Sequence, residues 1–177
     1  MAKEKGFHGS VRTEWLVEPE ADRQMVLLED FEFVDDDGVA WPAKRDDVID
    51  GASIPRFLWS TFPGSPYIGE YRRAAALHDS HYIHRYGGSR RAVDRVFYAA
   101  MRFDGTSRFK AVAMYVAVRL FGGSYWDSKV LGAAISGEMQ DLCWAIADWA
   151  VSQPGEVDLD AIDERCKQDY PACDIDN

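Results

Sequence analysis

A chain of 177 residues, 47% hydrophobic and 28% charged, is long enough for one domain with its own apolar core and has an ordinary globular composition. Its net charge of -10 repels phosphate backbones, so nucleic acid is not an expected partner. Three cysteines without a CxxC spacing argue against a disulfide framework and a zinc knuckle, although Cys166 and Cys173 could pair in an oxidising place, and MAKEKGFHGS lacks the apolar run of a secretory signal, which together point to a reducing cytoplasm.

The first ten residues read as a flexible N-terminus, and residues 11–152 as a single domain. Glu14 to Glu18 is β-favouring, and Met25 to Val34 has strand composition with partial alternation in Phe31-Glu32-Phe33-Val34. Asp35-Asp36-Asp37-Gly38 is a turn, and Val39-Ala40-Trp41 returns, which predicts a small antiparallel sheet. Residues 44–71 are irregular. Within them Ser53 is placed to cap a short helix from Ile54 to about Ser60, with Pro55 in its first turn.

Helices follow. Residues 70–86 run without a breaker to Gly87-Gly88, and Ser89 caps a second helix to Phe103 with Val93, Phe97, Ala100 and Met101 on one face. Ser107 opens a third to Phe121, with Ala111, Met114, Tyr115 and Val118 inward, closed by Gly122-Gly123. A fourth runs from Ser136 to Ser152 on a stripe of Met139, Leu142, Cys143, Ile146 and Trp149. The fold class is therefore α+β: a small N-terminal antiparallel sheet, then a bundle of three to four helices. Residues 153–177 form an acidic tail that can hold a short helix at Asp158 to Lys167.

Charge is unevenly spread. The tail carries eight acids against Arg165 and Lys167, whereas the middle of the chain holds Arg72, Arg73, Arg85, Arg90, Arg91 and Arg95. Such a basic patch suits an anionic lipid, an acidic partner or the chain's own tail, and otherwise is a solvated face with local ion pairs.

The chemistry lies in Ala74-Ala75-Ala76-Leu77-His78-Asp79-Ser80-His81-Tyr82 and Val93-Asp94-Arg95-Val96-Phe97. His78 and Tyr82, four apart, share a helix face, and the glycine turn folds the next helix back so that Asp94 comes opposite them. An imidazole near neutral pKa takes a proton from water, and a carboxylate on its other nitrogen fixes the tautomer. A second carboxylate, Asp79, is then available for a hard cation, with Asp50 as a further ligand; calcium or magnesium suits oxygen donors. The same residues also make a buried polar pin between two helices without any catalysis. Asp50 equally makes an Asx turn ahead of Ser53. His81 and His84 fall on other faces and read as surface residues, and Trp126, Trp144 and Trp149 as core or interface anchors.

Asp50-Gly51-Ala52-Ser53-Ile54-Pro55-Arg56, Ala75-Ala76-Leu77-His78-Asp79-x-x-Tyr82, Asp94-x-x-Phe97-x-x-Ala100-Met101 and the Met114 to Gly122 stretch together resemble a domain-of-unknown-function family of tailed phages, prophages and some bacteria. That resemblance implies synthesis in a host cytoplasm, other phage or virion proteins as partners, and a place in a virion as one outcome. His-Asp-x-x-Tyr followed by Asp-x-x-Phe is also similar to secretory-type and viral phospholipases, although the cysteines usual beside that pair are absent. That likeness implies His78 as general base, Asp94 as its partner, Tyr82 as a donor to Asp94, and Asp79 as a calcium ligand aided by a loop containing Gly64 and Gly69.

Three functions are compatible with these features: a metal-assisted hydrolase of a lipid ester or cell-wall bond, a non-enzymatic virion, tail or assembly component, and a host-directed inhibitor. An open cleft at His78, Asp79 and Asp94 favours the first, and a sealed cluster the second. Membrane contact and oligomeric state are left open by the sequence.

Overall fold

A computed structural model of the chain describes residues 3–17, 24–50, 55, 57–58, 69–128 and 134–171. Among them six short strands lead: β1 (Gly6–His8), β2 (Thr13–Trp15), β3 (Met25–Leu27), β4 (Phe31–Val34), β5 (Ala40–Ala43) and β6 (Val48–Ile49). They build two antiparallel three-stranded sheets, ordered β1-β4-β5 and β2-β3-β6. The α+β class thus holds, with two sheets in place of one. The stretch read as one strand from Met25 to Val34 bends at Leu28–Asp30, where the Asp30 carboxylate accepts from the Arg45 amide at 2.7 Å. Its two halves therefore serve different sheets.

The predicted hairpin is β4 and β5, with Phe33 opposite Trp41 and Gly38 at φ 76° in the turn. The Asp35 side chain closes it, accepting from the amides of Asp37 and Val39 at 3.0 and 2.8 Å and from the Trp41 indole at 2.8 Å. Gly6–His8 pairs with β4, so these residues of the N-terminus belong to a sheet. In the region read as irregular, Val48 and Ile49 pair with Val26 and Met25. Most of the short helix expected after Ser53 lies outside the described residues, of which Phe57 and Leu58 are helical.

Among the described residues from 69 onward six helices follow: α1 (Arg72–His84), α2 (Arg90–Phe103), α3 (Arg108–Phe121), α4 (Gly123–Ser128), α5 (Gly137–Ser152) and α6 (Leu159–Asp169). Ser89, Ser107 and Ser136 accept backbone N–H groups at the starts of α2, α3 and α5, as their sequence positions predict, and Asp158 does so for α6. α1 ends on Arg85 in the left-handed region at φ 57°, and Gly87 and Gly88 turn the chain into α2. Gly122 closes the third helix as expected, standing directly after Phe121. It keeps helical angles, and the chain continues directly into α4.

The core explains which helices carry the polar groups. α1 is buried continuously from Ala74 to Tyr82, and α3 from Ala111 to Leu120. Helices enclosed on every side have no solvent face for their charged residues. His78, Asp79 and Arg119 are therefore interior groups that require partners within the protein.

Candidate functional site

α1 and α2 lie side by side, and the expected meeting of their polar residues occurs. His78 Nε2 is 2.8 Å from Asp94 Oδ1, and Tyr82 donates to the same oxygen at 2.7 Å. Asp94 Oδ2 accepts from Arg119 Nη1 of α3 at 2.8 Å, with Arg90 Nη1 at 3.7 Å. Burial pushes the Asp94 carboxyl upward, but the His78 hydrogen bond and charge, then Arg119 and Arg90, outweigh it and hold the carboxyl below its ordinary value. An ionised carboxylate accepts only, so His78 Nε2 is the donor in this pair. Burial and the neighbouring Asp94 push the Tyr82 phenol well up, so it stays protonated and donating. The side chains of His78 and Asp94 have no solvent exposure. The imidazole is packed between Tyr82 and Phe97, with ring centroids at 4.2 and 4.5 Å.

Asp79 and Asp50 form a second, separate pair. Asp79 is fully buried, and its Oδ2 accepts from the Asp50 amide at 3.2 Å. Asp50 follows directly on β6, which is how the sheet delivers it to α1. Tyr125 of α4 donates to Asp50 Oδ2 at 2.8 Å, and burial, followed by Asp50 and Asp79, pushes that phenol up. Tyr82, Val93, Tyr125 and Trp126 pack together and connect this acidic pair to the His78 group. Among the described residues no three His, Cys, Asp or Glu side chains are placed to hold a metal ion. The two carboxylates are hard oxygen donors, but supply only part of the six to eight that calcium takes. The glycine-containing loop expected to complete such a site lies outside the described residues, apart from Gly69.

Several polar residues that hold the site together were not predicted from sequence. Asp47 is buried and anchors the second sheet to α1: it accepts from the Ser80 hydroxyl, the Tyr86 phenol and the Lys44 amide. His81, read as a surface residue, is 2% exposed, because α1 has no outer face at that position. Its ring sits against Trp41 and Tyr86, and burial lowers its pKa to about 4. Arg119 is the largest omission. A lone arginine inside the apolar run Ala111 to Phe121 signals a buried, paired charge, and Arg119 bridges Asp94 to Asp163 of α6, donating through Nε at 3.0 Å. The basic patch meets the chain's own acidic segment, with Arg91 and Arg95 on Asp160 and Asp163.

Gly122 sits where α3 passes Tyr82. A Cβ there would stand 2.6 Å from the Val118 carbonyl and 2.8 Å from the Tyr82 hydroxyl, neither of which is a flexible chain end. Gly122→Ala should cost about 1–3 kcal/mol, as overpacking does. Thermal melting checks this, and an unchanged midpoint would show that Tyr82 is not held tightly.

Among known families, one described as "Protein of unknown function (DUF1353)" matches residues 25–118. Two relatives come from Sinorhizobium fredii. "Uncharacterized protein y4jT" is 38% identical over 59% of this chain and 31% of its own length. "Uncharacterized protein y4iH" is 40% identical over 75% of this chain and 54% of its own length. The chain thus spans about a third to a half of these curated relatives. No solved structure matches.

Proposed function

The chain belongs to the DUF1353 family of proteins of unknown function, and within it we propose a hydrolase in which His78 is the general base. The observation that carries this reading is the convergence of His78 Nε2 and the Tyr82 hydroxyl on one oxygen of Asp94. Asp94 fixes the imidazole and would stabilise the imidazolium formed when its other nitrogen takes a proton from water. Arg119, on the other oxygen, keeps Asp94 ionised. Tyr82 restrains the carboxylate from the side. The roles of His78, Asp94 and Tyr82 are those that the likeness to secretory-type phospholipases implies. A lipid ester or a cell-wall bond is the substrate class.

Asp79 and Asp50 would hold a calcium or magnesium ion, which when bound supplies polarisation of the substrate oxygen. Their own part is to place two carboxylate groups on the chain segments beside the dyad. Asp50 is steadied for this by the Tyr125 phenol.

A second reading is favoured by the complete burial of the His78 and Asp94 side chains. On it the cluster is a polar pin between helices, and the protein is a non-enzymatic component of a virion, tail or other assembly. Phospholipid vesicles with added calcium and purified cell-wall sacculi, each with and without the protein, separate the two readings. Product should form with one substrate, and His78→Gln, which keeps a donor toward Asp94, should lower the rate about 10²–10⁴-fold with little change in melting temperature. If both substrates stay intact and His78→Gln only destabilises the fold, the pin is correct.

A further inference from the structure

The His78 pair does not end at Asp94. Asp94 Oδ2 is held by Arg119 Nη1 at 2.8 Å, and Arg119 Nε reaches Asp163 Oδ1 at 3.0 Å. Neither Arg119 nor Asp163 is more than 1% exposed. Tyr115 adds a second donor to Asp163 Oδ1 at 2.9 Å, and Arg91 Nε donates to Oδ2 at 2.8 Å. Arg91 and Arg95 also pair with Asp160, which is 70% exposed. One continuous series of charged hydrogen bonds therefore runs from the surface of α6 through α2 and α3 to the imidazole on α1. Arg119 is its only link to Asp94 among these contacts, and a single guanidinium is shared between two carboxylates.

We infer that Asp163, in a helix beyond the family-matched residues, is a positioning residue for the His78–Asp94 pair and sets the strength of that pair through Arg119. With Asp163 in place, part of the Arg119 charge is neutralised and Asp94 remains a strong acceptor for the imidazole. Without it, the guanidinium draws more strongly on Asp94 and weakens that carboxylate as an acceptor. Docking of α6 thereby governs the far end of the network. The inference stands whether or not His78 is a catalytic base, because its readout is the hydrogen bond itself.

The hydrogen-bonded Nε2 proton of His78, observed by NMR in water on the full chain, reports how strongly Asp94 accepts. In Asp163→Asn this resonance should move upfield. In a variant combining Arg91→Gln and Arg95→Gln, Asp163 loses two competing cations and draws Arg119 more strongly, so the resonance should move downfield. Arg119→Lys, whose point-charge ammonium cannot bridge two carboxylates in the same geometry, should abolish most of the effect of Asp163→Asn. Shifts of opposite sign that vanish in the Arg119→Lys background support the coupling. No movement in the Arg91 and Arg95 variant overturns it, even if Asp163→Asn fails to fold. Shifts that persist unchanged with Arg119→Lys overturn the route through Arg119.

Discussion

Arg119→Met is expected to remove about 3–5 kcal/mol of folding stability, a large part of the 5–15 kcal/mol typical of a domain. Methionine fills a similar volume, so the loss comes from charge. Asp94 and Asp163 would be left in the interior with one cation fewer between them. Breaking a buried pair from one side is costly because desolvation of the remaining charge is no longer offset. Asp94 also gives the change a pH signature. Its folded pKa lies below the ordinary 3.8, so the unfolded chain binds the proton first as pH falls, and this part of the stability is full above about 4 and disappears in stronger acid. Arg119→Met should shrink that acid-dependent part as well as the total. Urea unfolding at neutral pH and near pH 3 measures both. A loss under 1 kcal/mol would mean that the carboxylates are not held as described.

His81→Phe should flatten the pH dependence of stability at milder acidity. The His81 pKa falls from 6.5 to about 4 through burial first and the neighbouring His78 second, with the Pro42 carbonyl and Asp47 opposing. Between these values the unfolded chain takes up a proton that the folded one refuses. Stability is therefore full above about 6.5 and declines as pH falls toward 4, by about 2–3 kcal/mol. Asp47, whose charge opposes the shift, is held by Ser80, Tyr86 and Lys44 and lies 3.7 Å from His84. Phenylalanine keeps the packing against Trp41 and Tyr86 without a titrating nitrogen. Urea midpoints from pH 7 to pH 4 should fall in the wild type and stay nearly level in the variant. Parallel curves would place the acid sensitivity elsewhere.

The helices were legible because their signals are local. Ser89, Ser107 and Ser136 mark starts, and the face of Val93, Phe97, Ala100 and Met101 is wholly buried as its spacing implies. The His78, Tyr82 and Asp94 meeting was legible for the same reason: one short turn fixes the register of two helices. The small strands were harder. β6 has two residues and β1 three, too short for alternation to show, and their pairing partners are distant in sequence. His81 was misplaced because periodicity assumes a wet face, and α1 has none along its buried stretch. Gly122 ends α3 where expected, but in right-handed and not left-handed angles. Here its small size is what counts, since Tyr82 occupies the space a side chain would need. Asp163 was hidden among many acids in the segment after residue 155, where nothing local distinguishes the one that points inward.

The long span of the Arg91 and Asp163 pair, 72 residues apart, affects how the chain is made. On a ribosome, α1 to α3 are complete while Asp163 is still untranslated. Arg119 and Arg91 then have water where a carboxylate will later stand, so the assembled core must stay loose enough to hydrate them. Vectorial synthesis therefore delays the tight state until the last described helix emerges, and a stalled nascent chain would present hydrated arginines to chaperones.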